Sequence, residues 1–159
     1  MAWYKAGIED VKDITELAQT NFANEVDQVF RVEPAMFEYN LSLAIVNQQY
    51  NPYSTLVLVE RADDNRVRAY TWAARGERAV WSSEEMVTIR MAHVDLTDTA
   101  RERVQRVKEM MGYWEVWAIE CGVPIVCSTT MRYDQKGFLN LHERMGYSVR
   151  GSIGYKRLR

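Results

Sequence analysis

Residues 122–147 read GVPIVCSTTMRYDQKGFLNLHERMGY, and this stretch decides the fold. Pro124 to Thr129 is an apolar run of a length suited to a short buried strand. A polar crossing rich in Thr, Arg, Asp and Gln follows, and then a helix closed by Gly146 with Tyr147 behind it. Glycine just past the last apolar-periodic residue is a helix stop, because it enters the left-handed conformation without the steric cost of a Cβ.

Upstream of this segment the apolar period is helical. Val104, Val107, Met111, Trp114, Ala118 and Cys121 are separated by alternating steps of three and four, one stripe along a long helix that Gly122-Val123-Pro124 ends. Before that helix lies a meander. STLVLVER (54–61) is a near-continuous apolar strand, ADDNR (62–66) a turn, and VRAYTWAAR (67–75) an alternating strand. RGER (75–78) turns again, AVW (79–81) opens a further segment, and MVTIRMAHV (86–94) is the fourth strong strand candidate. At the front, Trp3 to Ala6 is a short strand. Val11, Ile14, Leu17, Ala18 and Phe22 recur at helical spacing, and a second helix starts near Pro34 and turns Phe37, Leu41, Ala44 and Ile45 inward. NEVDQVFRVE (24–33) connects the two, and the tail GSIGYKRLR (151–159) reads as a last strand. The order is β-α-α-β-β-β-α-β-α-β. It predicts an α/β protein with a mixed sheet of six to seven strands and helices on both faces.

The 159 residues suit one core, and no linker, repeat or low-complexity tract interrupts them, so residues 1–159 are read as a single domain. A net charge of −2 provides no global field to recruit nucleic acid or an anionic membrane. Cys121 and Cys127 are too few for a disulfide framework and are read as reduced core thiols. MAWYKAGIED lacks the basic and apolar regions of a signal peptide, and no apolar run approaches membrane-spanning length, which makes an intracellular protein the default expectation. Two histidines without matching Cys, Asp or Glu spacing give no zinc motif, and neither GxSxG nor a Walker-type loop occurs. Trp114 lies on the helix stripe and is read as core, whereas Trp3, Trp72, Trp81 and Trp117 suit either core or interface.

Gln135-x-x-Phe138-x-x-Leu141-His142-x-x-Met145-Gly146-Tyr147 resembles the Asn-x-x-Ala-x-x-Leu-Tyr-x-x-x-Gly-Phe ending of the GNAT family, the acyl-CoA-dependent N-acyltransferases. The element order is similar to that family's over nearly the whole chain. The resemblance implies acetyl-CoA as cofactor and an amine as acceptor. It places His142 where the family's tyrosine protonates the departing thiolate, and histidine can do that work near neutral pH. For the general base it implies a residue on or near the fourth strand. Glu84 and Glu85 stand just before that strand, and His93 stands on it. Strict alternation would put His93 on one face with Val87, Ile89 and Met91. Val94 and Gln135 are the positions implied to lie beside the cofactor.

The chain departs from the family at the loop that binds the CoA pyrophosphate, Arg/Gln-x-x-Gly-x-Gly/Ala. Aligned on Val94, Thr99, Glu102 and Val104 stand where Arg/Gln and the two glycines belong, and no glycine occurs between Gly76 and Gly112. Thr99-Ala-Arg-Glu102 fits instead the capping box, in which the threonine and the glutamate occupy first-turn donors that a phosphate needs. Arg101, Arg103 and Arg106 are the side chains left to attract a phosphate, although a charge run of this kind is more often a solvated helix face.

Two functions stay open. One is an acetyl-CoA-dependent N-acetyltransferase acting on a small amine or a protein amino group. The other is a GNAT-fold protein without acyl transfer, a structural or interaction subunit with a protein partner or a second copy of itself. The eroded loop is similar in layout to the GNAT-like internal virion proteins of T7-like podophages, which implies a virion rather than a cytoplasmic location for that second reading.

Overall fold

The structure is a computed structural model and describes residues 3–26, 29–132, 134–151 and 153–159. Five strands form one sheet in the order β1-β2-β3-β4-β5: β1 (Trp3–Lys5), β2 (Thr55–Arg61), β3 (Val67–Arg78), β4 (Glu85–Val94) and β5 (Ile125–Cys127). The first four pair antiparallel, and β5 runs parallel to β4. The parallel pairing follows from the crossover helix between them, α3 (Ala100–Glu120). Helices α1 (Val11–Glu25) and α2 (Pro34–Tyr50) cover one face, and α3 covers the other with α4 (Lys136–Arg144).

Two apolar cores result. Phe22, Phe37, Leu41 and Ile45 pack on Val57, Val59 and Tyr70 beneath α1 and α2. Met110, Met111, Trp114, Trp117 and Leu141 pack on Leu56, Leu58, Ala73 and Val87 beneath α3 and α4. Trp114 is fully buried, and its indole N–H donates to Thr71 Oγ1 at 2.9 Å, so the largest core side chain leaves no polar atom unsatisfied. Gly146 has φ of 89°, and the amides of Gly146 and Tyr147 donate to the carbonyls of Glu143 and His142 at 3.1 and 3.0 Å. That is the Schellman closure expected of a glycine stop.

Four readings of the sequence need correction. The tail forms no strand among its described residues, which leaves five strands and makes β5 an edge. Consequently β5 is half-exposed rather than buried: Ile125 is 38 % accessible, and Cys121 and Cys127 are intermediate free thiols. RGER does not turn. Gly76 at φ of 98° creates a bulge against β4, and β3 continues to Arg78, which leaves AVW in the connection. Finally, the buried side of α3 is centred on Arg106, Met110, Met111, Trp114, Trp117 and Ala118, while Val104 faces solvent.

Candidate active-site cleft

The sheet opens between β4 and β5. Only Met86–Thr88 pair with Ile125–Cys127, and the chain leaves the sheet at Ser128 while β4 continues to Val94. Strand β4 also carries a bulge. Trp72 pairs with Met91 and Ala73 with Ile89, so Arg90 has no partner in the register. An extra residue inverts the alternation that follows it. Val87 and Ile89 therefore face α3, whereas Met91 packs with the α1–α2 core and His93 meets Phe22 edge-on at 5.3 Å. The expectation that His93 shares a face with Val87 and Ile89 is thus overturned by one inserted residue.

His93 is 3 % exposed and sits in the middle of a polar chain. Its Nδ1 lies 2.6 Å from Tyr70 Oη and its Nε2 lies 3.0 Å from Glu25 Oε2, while Glu25 in turn lies 3.9 Å from Arg132. Burial, reinforced by the Glu25 charge, pushes the Tyr70 phenol well above its ordinary range and keeps it protonated. Tyr70 O–H consequently donates to Nδ1, and the remaining Nε2–H donates to Glu25. This chain ties the end of α1 to the last residues of β4 and to Arg132. A groove of about 290 Å³, bordered by Phe22, Arg31, Glu33, Met36 and Phe37, opens beside it at the start of α2.

His142, on the inner face of α4, is 2 % exposed. Its Nδ1–H donates to the Phe138 carbonyl at 2.8 Å, which turns the Nε2 lone pair to accept from the Ser128 hydroxyl at 2.9 Å. Burial lowers its pKa below the ordinary histidine value, only partly offset by the Phe138 carbonyl, and the ring is neutral at pH 7. Both ring nitrogens are thus engaged within the protein, and Ser128 is the group that reaches the surface.

The start of α3 is the third element of the cleft. Glu102 Oε2 accepts from the Thr99 amide and hydroxyl at 2.9 Å each, and the Glu102 amide donates to Thr99 Oγ1 at 3.3 Å. The capping box is therefore formed, and those bonds, led by the Thr99 amide, hold the Glu102 carboxyl below its usual range. Asp95 and Asp98 precede the cap. Asp95 accepts from the Thr97 amide and hydroxyl and pairs with Arg66. Asp98 pairs with Arg68 at 3.2 Å and with Arg106 at 3.0 Å, and Arg106 also pairs with Glu60 at 2.8 Å.

The remaining sequence-derived site residues are dispersed. Arg106 is 6 % exposed and bound to two carboxylates, Arg101 is exposed, and Arg103 is intermediate. Val94 is buried and its carbonyl accepts from Asn21. Gln135 is exposed at the residue before α4, where its side chain makes no capping bond. Glu85 pairs with Arg75 at 2.8 Å and accepts from the Gly76 amide, bonds that lower its pKa, and it is therefore engaged at the bulge end of β3. Glu84 is exposed. Glu25, Tyr70, Ser128 and Glu60 emerge only from the fold. No local motif marks them, since Glu25 and His93 are 68 positions apart and Ser128 and His142 are 14 apart.

No sequence-family model matches the chain, and no curated protein sequence matches it. Solved structures do. An aminoglycoside 6'-N-acetyltransferase from Acinetobacter baumannii superposes with a TM-score of 0.71 at 12 % identity, over 99 % of this chain and 97 % of that one. The chain has the GNAT fold. Glucosamine-6-phosphate N-acetyltransferase from Arabidopsis thaliana aligns with a TM-score of 0.67 at 15 % identity, over 99 % of this chain and 98 % of that chain. AAC(6')-Iy, in complex with a bisubstrate analogue built on CoA, gives 0.70 at 13 % identity, over 99 % and 97 %. At these identities the likeness is one of GNAT architecture, and function rests on the site. Among the described residues, no helix is long and apolar enough to cross a membrane.

The GNAT fold implies a CoA cofactor, and the chain's residues do not fit its pyrophosphate. A diphosphate needs free first-turn amides and uncompensated positive charge. The start of α3 presents instead a capping box that takes the Glu102 amide, and three carboxylates with Arg66, Arg68 and Arg106 paired to acidic groups, so that among the described residues only Arg101 and Arg103 of the first turn carry no ion pair.

Proposed function

We propose that this chain uses the GNAT fold without acyl transfer, as a non-catalytic interaction subunit. The observation that carries the proposal is the start of α3. Thr99 and Glu102 occupy each other's donors, and Asp95, Asp98 and Glu102 set negative charge where a nucleotide diphosphate would bring more. Arg66, Arg68 and Arg106 are each held by these carboxylates, so a diphosphate would have to displace an acidic partner before any of the three could reach it, and for Arg106 that partner is buried. The engaged nitrogens of His142 support the same reading, because a general acid must present its proton to the cleft. The sequence's resemblance in layout to GNAT-like internal virion proteins of podophages directs the search for a partner to phage particles. Calorimetric titration with acetyl-CoA tests the proposal: no binding heat at millimolar ligand is expected, and saturable binding would overturn it.

A second reading, an active acyl-CoA N-acetyltransferase, has one specific observation in its favour. The Arg90 bulge and the early end of the β4–β5 pairing leave the last residues of β4 without a strand partner on that side, next to the Glu25–His93–Tyr70 chain. Saturable acetyl-CoA turnover with an amine acceptor would establish that reading instead.

A further inference from the structure

We infer that the outer face of α2 is a self-association surface, on which a second copy of this chain docks antiparallel across a twofold axis at Leu43. The inner face of α2 is occupied by its own core, where Phe37, Leu41 and Ile45 are buried. Its outer face is apolar as well. Met36 is 54 % exposed, Tyr39 61 %, Leu43 46 % and Tyr50 88 %, and Val46 is half-buried between them. A helix apolar on both faces is ordinarily covered on both.

The spacing of the outer face is specific. Positions 36, 39, 43, 46 and 50 advance by three, four, three and four, the a/d alternation of a coiled-coil seam. The flanking positions are Asn40, Ser42, Asn47 and Gln49, where partner-selecting seams carry complementary charges. A seam without flanking charge neither repels a second copy nor selects a charged partner of another kind. Within Pro34–Tyr50 the only side chain charged at neutral pH is Glu38, and Glu33 precedes the helix. Both lie at the N-terminal half. An antiparallel pair holds the acidic ends of the two copies apart and opposes the helix dipoles, whereas a parallel pair would stack them.

An antiparallel twofold also matches the length of the stripe. Leu43 is its midpoint, so it meets its own copy at the axis, and Met36 of one chain faces Tyr50 of the other. Taking about 200 Å² for a tyrosine side chain, the exposed parts of Tyr39 and Tyr50 amount to about 300 Å² per copy. The pair supplies about 600 Å², half of the ~1,200 Å² at which stable interfaces begin, before Met36, Leu43 and Val46 are added. The surface names a partner for the interaction-subunit reading but does not depend on it: cofactor binding and association are measured separately, and either can fail alone.

Sedimentation equilibrium of the full chain tests the inference. The average mass is expected to rise with concentration from the 18.6 kDa of the monomer to twice that value. Leu43→Lys and Leu43→Glu, each checked for native circular dichroism and melting, are each expected to weaken association on the order of 100-fold or more, because each sets like charges against themselves at the axis. Tyr50→Lys, at the most exposed position of the stripe, is expected to weaken it too, while Val116→Lys on the exposed face of α3 is not. An equimolar mixture of the Lys and Glu variants is expected to regain dimer, since only a twofold axis at residue 43 pairs them. A chain that stays monomeric at every concentration overturns the inference. So does a dimer indifferent to the residue 43 variants, or a mixture that stays monomeric. Loss of association on Trp81→Lys alone would likewise overturn it, by placing the interface at the hairpin tip.

Discussion

Replacing Arg106 with Met separates two views of the α3 start by stability alone. If Arg106 were one residue of a solvated basic face, the substitution would cost no more than about 0.5 kcal/mol. In the structure its side chain is 8 % exposed, and it bridges Glu60 and Asp98, each 7 % exposed, at 2.8 and 3.0 Å. Removing one partner of such a buried arrangement leaves carboxylates without compensation and costs about 3–5 kcal/mol. Asp98 keeps Arg68 at 3.2 Å, which places the expected loss near the lower end of that range. For a domain of this size each kcal/mol moves the melting temperature by about 3 °C, so Arg106→Met is expected to melt roughly 9 °C or more below the parent. The double variant Glu60→Leu/Arg106→Met removes both ends of the 2.8 Å pair and is expected to recover most of the deficit. Thermal unfolding followed by far-UV circular dichroism is the assay. A loss under about 2 °C for Arg106→Met would refute the claim that these charges are spent on each other, and would return Arg106 to the set of available phosphate ligands.

Further outcomes follow from single positions. Thr99→Ala removes the cap acceptor and should cost about 1 kcal/mol in urea unfolding. Gly146→Ala forces a Cβ into φ of 89° and should cost about 1–2 kcal/mol by the same measurement. Tyr70→Phe strips the donor from buried His93 Nδ1 and should destabilise by about 1–3 kcal/mol, while a larger drop would mark additional repacking. Because burial lowers the His142 pKa, its neutral form is the folded form. Its contribution to stability is therefore complete above the ordinary value near ~6.5 and declines as pH falls through the lowered one. Urea midpoints measured between pH 8 and pH 5 should accordingly fall on the acid side less steeply in His142→Phe than in the parent.

Local patterns in the sequence were sufficient wherever the cause of the structure was local. The Gly146 stop, the Thr99–Glu102 cap, the Pro34 start and the inward faces of α1 and α2 all depend on residues within one or two turns, and each formed as read. What escaped depended on a partner strand or on distant contacts. The Arg90 bulge has no signature in MVTIRMAHV, yet it moves His93 to the α1–α2 face. The tail has strand-like composition, but a strand needs an edge that accepts it, and its described residues form none. Arg106 reads as one arginine among several until Glu60, 46 residues away, is seen beside it. Overall architecture was therefore legible, whereas the wiring of the cleft required the fold.

The melting temperature at 1 mM acetyl-CoA tests the central claim most directly. A ligand held with a Kd of about 10 µM would stabilise the native state by about 2.7 kcal/mol at that concentration and raise the melting temperature by about 8 °C. With the Glu102 amide taken by Thr99 and the helix start flanked by Asp95 and Asp98, the expected shift is under about 1 °C. A saturable rise of several degrees would contradict it.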